Sequence, residues 1–318
     1  MAIGDRVFVD PIRSWGCWID DSGDAQPFRV HDNDTDALAA PVLPLSDLGP
    51  DPFPGRSMST LAFREFGMVR LERRAGALKI KFDLETVTMP SIGGARALMR
   101  AAFHSGPIDL IFRYGGWARE RFYDVDKALS RVMQLCAHRG VEPETMIACD
   151  DHTLEDARTQ AHPMIRRAIN AWNRTDRRAI ESFDSEFRKL TPYILTLSEN
   201  NSIGNLSYRH VGGRSHIVSY LGREWARNVI GTLSNHGHCD TEFETAISEP
   251  YIDALDRFEP RYGHVRGLLV LAERDPEWVS YQRVILPYHT VRGKRAVAIM
   301  VAPDQNVSIP FLGLGGTR

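Results

Sequence analysis

WVSYQRVILPYHTVRGKRAVAIMVA, residues 278–302, predicts two long β-strands joined by a turn. The turn residues are Arg292-Gly293, and the strand after it alternates apolar side chains from Val297 to Val301. The first strand changes phase between Tyr281 and Val284, a change that a β-bulge would absorb. This hairpin predicts that the C-terminal part of the chain is built on an antiparallel sheet.

The residues before this hairpin predict three more strands and a helical crossover. Thr191–Leu197 and Leu206–Val211 are two short strand candidates, and His264–Leu271 is a third that leads into the hairpin. About fifty residues between the second and third candidates have helical patterns. The best of these helices spans Glu242–Phe258, and Pro250 should kink it or split it. The order β-β, crossover, β-β-β predicts a single five-stranded antiparallel sheet over residues 188–304.

The rest of the 318-residue chain is predicted to be organised differently. Strand, helix and hairpin patterns predict a small α+β domain with the order ββαββα and mostly antiparallel pairing, although its last twenty residues, 141–160, are polar and irregular. The overall fold class is therefore predicted to be α+β. The remaining boundaries are an extended segment rich in Pro, Asp and Gly at 1–60 with short strands near Arg6–Val9 and Gly16–Ile19, the α+β domain at 61–160, a connecting helix at 161–187, and a flexible tail at 305–318.

Three short motifs in the C-terminal part resemble elements of PAS-like domains from proteobacterial regulators. They are Tyr208-Arg209-His210-Val211-Gly212-Gly213-Arg214, Leu221-Gly222-Arg223-Glu224, and Tyr281-Gln282-Arg283-Val284-Ile285-Leu286-Pro287. The resemblance covers about residues 172–301. It implies a five-stranded sheet that holds ligands under its helical side, and a role in sensing or dimerisation. It does not specify a ligand or an output partner.

A ligand pocket of such a domain would lie between the sheet and the crossover helices. Tyr208 and His210 are two residues apart on one strand, so they should stand side by side on the same face. Aromatic walls with few polar groups suit a small molecule, but they suit a filled core equally well. The candidate lining residues are Tyr208, His210, Trp225, Phe243, Tyr251, Leu269 and Tyr281.

A second candidate site is an arginine-rich helix. Pro163 is well placed to begin a helix that runs from Met164 to about Ser182. This helix is either a solvated surface or a docking site for an acidic partner or nucleic acid. Its candidate docking residues are Arg166, Arg167, Arg174, Arg177 and Arg178.

No metal or cofactor is predicted. The densest cluster of potential ligands, Asn235–Asp240, contains His236, His238 and Cys239, but a second ligand pair at a recognised spacing is missing. Single-histidine haem ligation by His210, His216 or His236 is conceivable but is not our expectation. The sequence also lacks the flavin motif of light sensors with the PAS fold, a hydrolase elbow, a Walker A loop and a GxGxxG loop.

Composition and charge argue against general nucleic-acid binding, membrane association and secretion. The net charge of −2 provides no overall field that would attract nucleic acid or an anionic membrane, and four widely spaced cysteines suggest reduced thiols. A membrane span and a secretory signal are not predicted either. We therefore expect a non-catalytic cytoplasmic regulatory protein of bacterial type that binds a small molecule, a protein partner or a second copy of itself. The alternatives are a dimerisation module with a filled core, a transcription regulator that uses the arginine-rich helix, and an enzyme without a recognised motif.

Overall fold

The computed structural model describes residues 14–28, 41, 57–74, 76–102, 105–175, 185–200, 206–234, 241–271 and 274–311. The chain forms two compact units, one ending at Pro143 and one spanning Glu144–Thr317. The boundary therefore lies seventeen residues before the one that the sequence predicts at 160/161. Within the described residues, no helix is both long enough and apolar enough to cross a membrane.

The first unit contains a six-stranded sheet with the order β2-β1-β3-β4-β5-β6. Apolar and polar side chains alternate along its strands. In β4, for example, Leu78, Ile80 and Phe82 are buried, and the lysines between them are half-buried. The described part of this unit has three helices, and Asp124 caps the last by accepting a hydrogen bond from the Lys127 N–H at 2.8 Å. The elements are β1 (Trp15–Ile19), β2 (Ala25–Phe28), α1 (Met58–Arg64), β3 (Val69–Arg74), β4 (Ala77–Asp83), α2 (Met89–Ala102), β5 (Ile108–Tyr114), β6 (Gly116–Phe122) and α3 (Val125–Ala137).

The predicted order ββαββα and the mostly antiparallel pairing are confirmed over β3 to α3, with one parallel contact among the described strands. β4 and β5 are parallel, because α2 carries the chain back across the sheet between them. β1 and β2 add two strands ahead of the predicted ββαββα order, and β1 pairs with β3. β1 confirms the strand predicted near Gly16–Ile19, whereas Arg6–Val9 lies outside the described residues.

The second unit contains a six-stranded antiparallel sheet with the order β7-β10-β11-β12-β8-β9. Helices cover both faces of this sheet, so its long strands are buried on both sides. The elements are β7 (Ile147–His152), α4 (Leu154–Gln160), α5 (Pro163–Arg174), α6 (Ser185–Leu190), a 3₁₀ turn (Thr191–Tyr193), β8 (Ile194–Glu199), β9 (Leu206–Val211), α7 (His216–Asn228), α8 (Thr241–Arg257), β10 (Arg261–Leu271), β11 (Arg274–His289) and β12 (Arg295–Pro303).

The two faces of this sheet have separate cores. On one face α4, α5 and α6 pack against alternate residues of β11 and β12, among them Val284, Leu286 and Ala298. On the other face α7 and α8 pack against the intervening residues, such as Ile285 and Ile299. Because both faces are buried, apolar residues occupy consecutive positions of β11, and the pairing of β11 with β12 is regular through Tyr281–His289. The bulge predicted between Tyr281 and Val284 is therefore wrong.

The predicted fold class is also wrong. The protein is a mixed α/β structure with twelve described strands, and its C-terminal sheet is not a small five-stranded PAS sheet. The sixth strand, β7, comes from the stretch 141–160 that was predicted to be irregular. β7 pairs with β10 from His152↔Tyr262 to Ile147↔Gly267, although its side chains are half-exposed.

The structure adds detail to three predicted segments. The helix predicted over 161–187 packs into the second unit, because α5 buries Ile165 and Trp172, and Trp172 Nε1 donates to the Pro287 carbonyl at 2.7 Å. Pro250 lies inside α8 without splitting it. In the segment predicted to be a flexible tail, Val307 and Phe311 are buried.

Candidate functional site

An apolar cavity lies between the second sheet and helices α7 and α8. Its volume is ≈ 100 Å³. Strands β8, β10, β11 and β12 form its floor, and the two helices form its walls. The floor residues are Leu195, Leu269, Val279, Tyr281, Ile299 and Val301, and the wall residues are His216, Ile217, Tyr220, Leu221, Phe243, Ile247 and Tyr251.

Helical spacing explains the walls. In α8, Phe243, Ile247 and Tyr251 are four residues apart, which places them on one face of the helix. In α7, His216 and Tyr220 have the same spacing. Gly222 then interrupts α7 with φ 85° and ψ 166°, and the four α7 residues at the cavity all precede this break.

Gly267 lets α8 approach the sheet closely. A β-carbon at this position of β10 would lie 2.5 Å from Cε2 of Phe243. Phe243 therefore rests on the backbone of the sheet itself and closes one side of the cavity. Only a residue without a side chain permits this contact.

Three polar groups of the cavity, His216, Tyr220 and Tyr251, are neutral near pH 7. Burial lowers the pKa of His216, whose ring lies 4.9 Å from the ring of Tyr220 in an edge-on arrangement. Burial, reinforced by Glu277, raises the pKa of Tyr220 to about 12. Burial also raises the pKa of Tyr251, and the nearby Arg283 partly opposes this effect. The walls thus offer hydrogen-bonding groups without a net charge.

A buried arginine supports the cavity from behind. Arg283 Cζ lies 5.7 Å from the centre of the Tyr251 ring, and its Nη1 donates to the Ile247 carbonyl at 3.3 Å. These contacts join β11 to the α8 residues that line the cavity. Arg283 itself is not among the described lining residues.

The structure brings four of the seven predicted pocket residues together at the cavity: Phe243, Tyr251, Leu269 and Tyr281. Tyr208 and Trp225 instead form an edge-on aromatic pair, with ring centres 6.0 Å apart, in the adjoining core.

The expectation that Tyr208 and His210 stand side by side is wrong. The pairing of β9 with β8 shifts register at this point, so Tyr208 opposes Leu197 while His210 opposes the adjacent Thr196. The irregularity sends the two side chains to opposite faces of the sheet. Tyr208 packs in the core beneath α7, and His210 Nε2 lies 3.0 Å from the Thr191 carbonyl oxygen.

Sequence reasoning missed much of the α7 wall. His216 was considered only as a conceivable haem ligand, and Tyr220 was not considered. The i, i+4 spacing of His216 and Tyr220 before a glycine break is a signal that could have identified them.

The other predicted sites lie elsewhere. Arg166, Arg167 and Arg174 are exposed on α5, while Arg177 and Arg178 lie outside the described residues. The 235–240 cluster of His236, His238 and Cys239 also lies outside them. Among the residues that the structure does describe, no group of three or more His, Cys, Asp or Glu side chains could hold a metal ion.

Comparison with known proteins does not assign the chain to a family. No family model matches the chain, and no curated protein or solved structure is significantly similar to it. The resemblance to PAS-like regulators rests on three short motifs and stays a prediction. The function therefore has to be argued from the cavity.

Proposed function

We propose that the second unit binds a small, uncharged, mainly apolar molecule in the cavity between its sheet and α7 and α8, and that the protein acts as a ligand-responsive regulator. The observation that carries this proposal is a mainly apolar cavity whose described lining contains no acidic or basic side chain apart from His216. The pKa of this half-buried imidazole is lowered and the pKa values of Tyr220 and Tyr251 are raised, so all three groups are uncharged near neutral pH. Such walls favour a neutral ligand because a buried charge without a partner is costly.

The size of the cavity limits the class of ligand. Its ≈ 100 Å³ is smaller than the ~150 Å³ of an engineered apolar cavity that binds benzene. A single aromatic ring or a short aliphatic chain is therefore the largest ligand that fits without movement of the walls. The phenol and imidazole groups would orient a hydroxyl or amine on such a ligand.

A ligand in this position would contact the part of α7 that precedes Gly222. Its occupancy would bias how this part of α7 packs on the sheet, which is the physical basis for a regulatory response. A cytoplasmic location belongs to the same proposal. It is supported by Cys17, Cys136 and Cys149, which are free thiols.

Small neutral probes test the proposal directly. Phenol, aniline and fluorobenzene are titrated into the full-length protein, with thermal unfolding and ¹⁹F NMR of fluorobenzene as readouts. At a free probe concentration of ~100 Kd, binding should stabilise the fold by about 2.7 kcal/mol. Val301→Phe, which fills the cavity from β12, should abolish this gain.

Val270→Phe is the matched control. It adds the same volume to β10 at a side chain that is 42% exposed. The gain should survive in this variant. The proposal is wrong if none of the three probes binds the wild-type protein and native mass spectrometry of the purified protein shows no retained small molecule, or if Val301→Phe binds the probes as well as the control does.

A further inference from the structure

A second surface depression lies on the other face of the same sheet, where α4 leads into α5. Its volume is ≈ 460 Å³, and its described lining consists of Arg158, Pro163, Arg166, Arg167, Ile169 and Asn170. The depression is separate from the apolar cavity, because α5 packs on the face opposite to α7 and α8.

The charge of this depression is one-sided. Arg166 and Arg167 are exposed, and their guanidinium groups form no ion pair with any described residue. Arg158 pairs with Glu155 at 2.9 Å, and none of the described lining residues is acidic. Among the described residues, three cations against one neighbouring carboxylate give a net charge of about +2.

The arginines stand on a fixed base. α5 buries Ile165, Ala168 and Trp172 in the core, and the hydrogen bond from Trp172 to Pro287 ties the helix to β11. The backbone beneath Arg166 and Arg167 is therefore held in place before any ligand arrives. A site on such an element loses less conformational entropy when it binds.

We propose that this depression binds the phosphate group of a phosphorylated small molecule. Guanidinium groups donate pairs of parallel hydrogen bonds that match phosphate oxygens. A phosphomonoester carries a charge of about −1.5 to −2 at pH 7, which balances the local charge. The volume falls within the ~300–1,000 Å³ typical of small-molecule sites, and the exposed Pro163 offers an apolar surface beside the charges. This inference does not rest on the function proposed for the apolar cavity.

The test is calorimetric titration of the full-length protein at low salt with phenyl phosphate and with pyrophosphate. Arg166→Gln/Arg167→Gln should raise the Kd of both by about tenfold or more. Arg223→Gln/Arg227→Gln, which removes two exposed charges from α7, is the matched control and should change the Kd by less than about twofold. Circular dichroism should show the same fold for both double variants.

Three outcomes would overturn the inference. The first is that neither compound binds the wild-type protein at ~10 mM, because a Kd above this concentration is too weak for a specific site. The second is an equal loss of affinity in the control, which would mean a general electrostatic field. The third is tighter binding of a polyglutamate peptide than of phenyl phosphate at this site, which would indicate an acidic protein partner instead. None of these outcomes affects the binding of neutral probes to the apolar cavity.

Discussion

The ring of Phe243 lies directly over Gly267, close enough that a β-carbon at position 267 would be 2.5 Å from Phe243 Cε2. This contact sets the distance between α8 and β10, and hence the shape of the cavity. Phe243 is buried, so its ring has little room to move away. The absence of a side chain at residue 267 is thus a structural requirement of the candidate site.

Gly267→Ala should displace Phe243 and lower the free energy of unfolding by about 1–3 kcal/mol, as expected for overpacking. Neutral probes should bind more weakly or not at all. Chemical denaturation and the probe titrations measure the two effects. Gly213→Ala is the control, because a β-carbon at residue 213 meets nothing within 4 Å. Equal stability of the two variants would show that Phe243 does not rest on Gly267.

Truncation should separate the cavity from the neighbouring core. Leu269→Ala enlarges the cavity floor, so it should cost about 2–5 kcal/mol and admit larger probes such as naphthalene. Tyr208→Ala removes a buried ring that packs on Trp225 outside the cavity, so it should cost about 3–5 kcal/mol and leave probe size unchanged. The measurements are urea denaturation and thermal shifts with probes of graded size. If Tyr208→Ala, and not Leu269→Ala, admits naphthalene, the cavity has been placed wrongly.

His216 should make stability depend on pH between neutral and mildly acidic conditions. Burial lowers the pKa of the folded-state imidazole, whereas the unfolded chain titrates near about 6.5. As the pH falls below that value, the unfolded chain takes up a proton that the folded chain does not, so the free energy of unfolding falls, by an amount of order 1 kcal/mol. Unfolding of wild type and His216→Phe at pH 7.5 and 5.5 measures the difference. The acid-induced loss should be smaller in the variant. An unchanged loss in His216→Phe would contradict the assignment.

Asp109 should stabilise the first unit at pH values above the ordinary pKa of a carboxyl group. Burial alone raises the pKa of this 1% exposed carboxylate, but hydrogen bonds from Arg121, at 2.7 Å, and from Arg119 lower it by more. In the unfolded chain the pKa of this carboxyl group is about 4, and in the folded chain it is lower. The stabilisation is therefore complete above about pH 4 and is lost as the pH falls through the folded-state pKa.

Asp109→Asn should cost about 1–3 kcal/mol at pH 7, a modest figure because both arginines are more than one-third exposed and solvent screens them. Its stability should also vary less than that of wild type below pH 4. Urea titrations at pH 7 and pH 3 provide both numbers. Parallel pH curves for the variant and the wild type would exclude this role.

Local patterns predicted most strands and helices well, because the spacing of apolar residues within a short stretch indicates whether it forms a helix or a strand. β9, for example, matches the predicted Leu206–Val211. What failed depends on partners distant in sequence. β7 has no alternation of its own, since three apolar residues, Ile147 to Cys149, are followed by three polar ones, and pairing with β10 makes it a strand. The parallel contact of β4 with β5 follows from the path of α2, which propensity does not encode.

In the candidate site, too, residues that follow a local pattern were predicted, and those that depend on irregular pairing were not. Phe243, Tyr251, Leu269 and Tyr281 were predicted because aromatic and apolar residues at helix or strand spacing face a core. His210 was misplaced because one extra residue in β9, at Arg209, reverses the direction of the following side chain. Such an irregularity leaves no mark in the hydrophobic pattern.

The order of the second sheet also constrains the timing of biosynthesis. β8 pairs with β12, so Ser198 meets Ala296 and must wait for 98 further residues to be synthesised. At ~5–20 residues per second this delay is roughly 5–20 s, during which the apolar side chains of β8 and β9 have no sheet to join. The unit therefore assembles late and from long-range contacts, which favours slow folding and makes this stretch a natural client for ribosome-associated chaperones.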